Sequence, residues 1–175
     1  MNERISIKVN NLSKKLGENQ ALDNISLCFE SEKMHGVIGP EGAGKTTLMR
    51  CLLRLLSPNT GTVEFLQAEK DQASKILSAQ EIRLKVAYMP QQSSLYPDLS
   101  IAEHLEFFKT LYQMESKAYE SKKVRLLEIT QLTPFLDRPA GQLSGGMSKK
   151  LGLMCALLRS PEILLLDEPT NGVDP

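Results

Sequence analysis

Gly39-Pro-Glu-Gly-Ala-Gly-Lys45-Thr46-Thr47 is the stretch that decides the fold. It fits G-x-x-x-x-G-K-[ST], the phosphate-binding P-loop. An apolar run, His35-Gly-Val-Ile38, precedes it and is expected to be a strand. Thr47-Leu-Met-Arg-Cys-Leu-Leu-Arg-Leu-Leu56 follows with a helical pattern. Gly42 and Gly44 allow the backbone to turn its N–H groups toward a polyphosphate. Those donors open a helix, where the dipole favours negative charge. Lys45 is placed to reach the β- and γ-phosphates, and the Thr46 hydroxyl to ligate Mg²⁺. The candidate nucleotide contacts here are Gly39, Pro40, Glu41, Gly42, Ala43, Gly44, Lys45, Thr46 and Thr47. A glycine-rich turn with an incidental lysine does not account for the flanking pattern.

Outward from the loop, the chain reads as ordinary globular protein. Its 175 residues suffice for one domain with a core. Lys plus Arg and Asp plus Glu both number 21, so no bulk polybasic surface points to nucleic acid. Cys28, Cys51 and Cys155 suit neither a zinc site nor a disulfide framework, and a reducing cytosol is the natural reading. No apolar run reaches the ~18–20 residues that cross a bilayer. Membrane association is therefore expected to come through a partner.

Strands are expected at Ile5–Val9, within Ala21–Phe29, and at Thr62–Leu66 after a Thr60-Gly61 turn. Val86–Met89 reads as a short buried strand, whereas Glu69 to Lys85 gives no clear pattern. Ser100-Ile-Ala-Glu103 has the form of a capping box. Behind it Ile101, Leu105, Phe108, Leu111 and Tyr112 are expected on one helical face. A second helix is expected over Lys117–Gln131, then a connector over Leu132–Gln142. Ser144 precedes a third helix with apolar positions Met147, Leu151, Met154, Cys155 and Leu158. Ile163–Leu166 is a continuous apolar run, as in a central parallel strand covered on both sides.

That run ends in Asp167-Glu168. Asp167 suits Mg²⁺ binding, as in a Walker B strand, and Glu168 suits a general base. Between the P-loop and these acids stands Leu143-Ser-Gly-Gly-Met147. With this motif the chain resembles the ATP-binding cassette (ABC) family. The resemblance implies an α/β P-loop NTPase fold: a RecA-like core with a parallel sheet, a small antiparallel β-subdomain and an α-helical subdomain. It assigns residues 1–175 to one ABC ATPase domain, incomplete at its C-terminus, with the helical subdomain at about 96–145. Ser144, Gly145 and Gly146 open a helix that would face the nucleotide of an opposite cassette. Gln91 matches the glutamine that senses Mg²⁺ and the attacking water. Asn171-Gly-Val-Asp174-Pro175 matches the D-loop, with Asp174 near the subunit interface.

Met147, Lys149-Lys-Leu-Gly-Leu153 and Arg138-Pro-Ala-Gly141 are similar to export-type, multidrug-like cassettes. The expected function is the ATPase subunit of an ABC exporter that uses ATP and Mg²⁺. The expected partners are a transmembrane permease and a second cassette, without nucleic acid, and the expected place is the cytoplasmic face of the cell membrane. Two alternatives stand beside it: a soluble cassette acting on ribosomes, and an inactive truncated remnant. Leu16 stands where the family usually has an aromatic against adenine, and Glu41 where asparagine is common. The chain also ends before the family's switch histidine, so it reads as a truncated cassette with slow hydrolysis expected.

Overall fold

The computed structural model describes residues 4–68, 73–92 and 94–170. The chain divides into two compact units, Met1–Val86 and Ala87–Pro175.

The first unit is built on β1 (Ile5–Leu16) and β2 (Asn19–Phe29), joined at Gly17 with φ +61°. Ile5, Ile7, Val9 and Leu12 bury one face of β1. After α1 (Lys45–Leu52), strand β3 (Thr60–Gln67) pairs with the other edge of β1, from Ile5↔Gln67 to Ser13↔Thr60. The short β4 (Lys75–Ile76) completes an antiparallel sheet of order β2-β1-β3-β4. β1 is irregular at Asn11, which has φ +48°. Asn24 on β2 has φ +47°. Their N–H groups are taken up by Ser26 Oγ and Ser13 Oγ, both at 2.9 Å. Asparagine tolerates the left-handed region, and the serine hydroxyls supply acceptors that a regular ladder would have given. Thr60-Gly61, expected as a turn, already belongs to β3. Gly61 has φ +86°, and a Cβ there would lie 2.4 Å from Asn11 O. It is the glycine that lets β3 pass the irregular part of β1.

Two other expectations fail in this unit, and the segment without a clear pattern takes on structure. Helix α1 stops at Leu52 rather than Leu56, and Arg54 follows with φ +58°. Glu69–Lys85 is not without structure, since it contains β4 and α2 (Ala79–Lys85). Ser78 and Glu81 form a full capping box on α2, a pattern visible in Ser-x-x-Glu. His35–Ile38 forms no strand among the described residues, and Met34 and Ile38 are 100% and 97% exposed. An extended run becomes a strand only through ladder partners, and this run has none in the sheets described.

In the second unit β5 (Val86–Met89) and β6 (Ile163–Leu166) form a two-stranded sheet. The connection between them carries α3 (Ile101–Leu111), α4 (Ser116–Thr130) and α5 (Gly145–Leu157). Ile101, Leu105, Tyr119, Leu127, Leu151, Met154, Cys155 and Leu158 form their shared core. The Ser100/Glu103 capping box is present. The connector is pinned to it by Ile101 N–H to Arg138 O and Ala140 N–H to Leu99 O. Leu111 leaves the expected apolar face and is 57% exposed. Ten residues past Ile101, at about 100° each, it lies about 80° off the buried direction. The four residues of β6 are half-buried rather than fully covered.

Candidate functional site

The loop before α1 is shaped by main-chain geometry. Gly42 and Gly44 have φ +77° and +88°, so both sit in the left-handed region. A Cβ on Gly44 would lie 2.3 Å from Ala21 O, which excludes any side chain. The helical ladder starts there, with Leu48 N–H bonded to Gly44 O at 2.8 Å. The N-cap position of α1 is Gly44, which brings no capping side chain. Lys45 Nζ donates to Gly39 O at 2.9 Å and Pro40 O at 2.8 Å, which keeps the ammonium over its own loop. Thr46 is half-buried and Thr47 is buried. Pro40, Ala43 and Glu41 are exposed, so the Glu41 carboxylate is in solvent. Leu16, at the end of β1, is 46% exposed.

The acidic residues lie in the second unit. Asp167 is only 1% exposed, and Tyr88 Oη donates to its Oδ2 at 3.1 Å. Its N–H continues the β5–β6 pairing by donating to Met89 O at 3.0 Å. Strand pairing thus fixes the acid at the end of β6. Gln91 Nε2 donates to Glu168 Oε2 at 2.8 Å. Glu168 itself has φ +49°. Lys149 Nζ, on α5, donates to Gln91 O at 2.7 Å and Glu168 O at 3.3 Å. The structure therefore brings Gln91, Asp167 and Glu168 together. It adds Tyr88 and Lys149. Alternation along β5 places Tyr88 opposite to buried Ala87 and Met89, the one signal that marks it. Lys149 stands in the Lys149–Leu153 run noted above, but nothing in that run signals its bonds to Gln91 and Glu168.

Ser144 Oγ accepts from Met147 N–H at 3.3 Å and caps α5. Ser144 and Gly145 are exposed, and Gly146 is half-buried. The N-cap that the sequence predicts at Ser144 is present. Asn171–Pro175, including Asp174, lie outside the described residues.

Mg²⁺ prefers hard oxygen donors. No group of three or more His, Cys, Asp or Glu residues forms a metal cage among the described residues. The Thr46 hydroxyl and Asp167 carboxylate are hard oxygen donors. Mg²⁺ is commonly held by one or two such groups, with phosphate oxygens and water completing the shell. Each of these two residues is by itself of a donor type that suits Mg²⁺.

A family model for ABC transporters matches residues 22–171. The chain belongs to the ABC transporter family. Within this family it is similar to the probable multidrug ABC transporter ATP-binding protein YbhF of Escherichia coli (strain K12). The two are 40% identical over 177 residues, covering 100% of this chain and 30% of that protein. It is 35% identical over 170 residues to the daunorubicin resistance ATP-binding protein DrrA3 of Streptomyces coeruleorubidus, covering 97% of this chain and 52% of that one. The ABC chain thus spans only part of each of these relatives. Among solved structures it is similar to an ATP-binding subunit of an ABC transporter, with TM-score 0.80 and 27% identity over 97% of this chain and 68% of that chain. A bacterial Atm1-family ABC exporter with ATP bound shares the fold at TM-score 0.79 and 22% identity, over 98% of this chain and 30% of that one. The fold is that of a P-loop ABC ATPase, with an antiparallel β-subdomain and a parallel sheet.

Proposed function

We propose that this chain is the ATP-hydrolysing part of an export-type ABC transporter. The observation that carries the reading is the bond from Gln91 Nε2 to Glu168 Oε2 at 2.8 Å, beside buried Asp167. A carboxylate held by an amide at the end of a strand is placed to take a proton from water. The P-loop supplies the other requirement, donors for a triphosphate: the N–H groups opening α1, and Lys45.

In this reading residues 39–47 hold the phosphates of ATP, with Lys45 on the β- and γ-phosphates. Thr46, Asp167 and, through its side chain, Gln91 hold Mg²⁺, which offsets phosphate charge when bound. Glu168 accepts a proton from the water that attacks the γ-phosphorus, and Gln91 orients that water. The bond from the γ-phosphorus to the ADP oxygen breaks. Ser144, Gly145 and Gly146 serve the nucleotide of a second cassette. Residues 96–145 act as the helical subdomain within one domain spanning 1–175.

One similar protein is named as part of a probable multidrug ABC transporter and another for daunorubicin resistance, which favours export over a ribosomal role. A transmembrane permease is the partner in this reading, and it puts the chain on the cytoplasmic face of the membrane. The segment Gln91–Leu99 and α3 form the docking surface. Tyr96, Phe107, Phe108 and Tyr112 make a chain of ring contacts at 5.3–5.5 Å there, and Tyr96 and Phe107 are exposed. Phosphate release by the full-length protein in membrane vesicles tests the enzymatic reading, with Glu168→Gln as the blank. Turnover unchanged in the blank refutes it. Cross-linking from exposed Ser94 tests the partner: a ribosomal protein in place of a membrane protein rejects the export role.

A further inference from the structure

We propose that Lys149 is a positioning residue that fixes the Gln91–Glu168 pair by holding both main chains with one ammonium. The inference rests on the hydrolytic reading of that pair.

Its bonds run from α5 to Gln91 O at 2.7 Å and to Glu168 O at 3.3 Å. Gln91 follows β5 and Glu168 follows β6, so a single cation bridges the two segments whose side chains meet at 2.8 Å. Hydrogen bonds from an ionised donor are shorter and stronger than neutral ones. Both go to main-chain carbonyls, so the ammonium sets where the two residues begin.

The backbone of Glu168 needs such a constraint. Its φ of +49° lies in the left-handed region, which disfavours any residue that carries a Cβ. Strained conformations persist only where the surroundings over-determine them. The Asp167 N–H bond to Met89 O holds the peptide before Glu168, and Lys149 holds the carbonyl after it. Between them the carboxylate is aimed at Gln91. Lys149 stands one turn beyond the Ser144 cap, so the start of α5 and the acid pair are joined through one side chain. A cavity of about 130 Å³ beside it, bordered by Tyr88, Pro90, Leu95, Ser148 and Gly152, leaves room for a guanidinium.

The test compares Lys149→Met, Lys149→Arg and, as a charge-matched control, exposed Lys150→Met in the full-length protein. Steady-state phosphate release is measured beside the NMR signals of glutamine side-chain amides labelled with nitrogen-15. Lys149→Met is expected to lower kcat by about 10–100-fold, the cost of a small misplacement. KM for ATP stays within about twofold, because the phosphate-binding loop at 39–47 is untouched. The Gln91 amide signal moves. Lys149→Arg restores most of kcat and returns the signal, and Lys150→Met changes neither. Wild-type kcat in Lys149→Met overturns the proposal. So does an unmoved Gln91 amide, or a fall in kcat matched by a proportional rise in KM. If the wild-type protein releases no phosphate yet the Gln91 amide moves in Lys149→Met alone, the positioning stands and the hydrolytic reading falls.

Discussion

Residues 39–47 form a loop whose backbone is set by glycine geometry, whereas Tyr88, Gln91, Lys149, Asp167 and Glu168 are held to one another by side-chain hydrogen bonds. In the loop, the decisive contact is one that must not exist: a Cβ on Gly44 would collide with Ala21 O. In the acid cluster, the decisive contacts are four hydrogen bonds across segments distant in sequence. A loop of the first kind is intolerant of added atoms. A cluster of the second kind is intolerant of lost ones. The two should therefore fail differently when mutated.

The sharpest separation is between binding and turnover. Lys45→Ala is expected to abolish ATP binding measured by calorimetry. Glu168→Gln keeps binding and loses turnover by about 10²–10⁴-fold, the usual worth of a general base. Equal ATP affinity in wild type and Lys45→Ala breaks the comparison at its root. The next contrast lies within the loop. Gly44→Ala combines an unfavourable φ with the 2.3 Å clash, and Gly42→Ala has the unfavourable φ with nothing within 4 Å. The second should cost about 1–2 kcal/mol in urea unfolding. The first should cost distinctly more, and equal costs would show that the loop relaxes freely.

A smaller effect belongs to Cys155 in the core beside the acid cluster. Burial pushes its thiol up to about 12, from 9.0. The unfolded chain releases this proton above about pH 8.5, and the folded chain keeps it. The sign is then fixed: stability from this group is complete below about pH 8.5 and is lost as pH rises toward 12. Cys155→Ala should flatten part of the fall in unfolding midpoint over that window. At pH 8 exposed Cys28 should react with iodoacetamide well before Cys155. The smallest effect is on α2. Lys75, followed by Ser78, holds the Glu81 carboxyl down to about 2, from 4.5. Its contribution is present above about 4.5 and fades as pH falls toward 2. Ser78→Ala should cost about 1 kcal/mol at neutral pH and remove part of that acid dependence.

What the sequence made legible divides along the same line. Gly42, Gly44, Ser100 and Ser144 act through neighbours in the chain, so short motifs disclose them. Ser78-x-x-Glu81 is equally local, but the mixed charge around it masks the periodicity of the short helix it opens. Lys149 acts on carbonyls reached only through folding, and no spacing predicts that. His35–Ile38 shows the opposite error. Its composition suits a strand, but hydropathy says nothing about whether a ladder partner is present. Asp167 was legible because strand end and acid are adjacent, whereas its Tyr88 partner comes from another strand.

The central place of β1 in its sheet has a consequence for how the chain comes to be folded. β1 meets β2 across a tight turn, so that hairpin can close as soon as Phe29 has left the ribosome. Its other edge is reserved for β3, and Ile5 must wait for Gln67. Until then the whole P-loop and α1 are made while one side of β1 carries unpaired main-chain groups. Non-local pairing of this kind is slow, and an open edge invites pairing with another chain. The irregularity at Asn11, which bends that edge, and the lysines at 8, 14 and 15 are features that discourage such pairing during the interval.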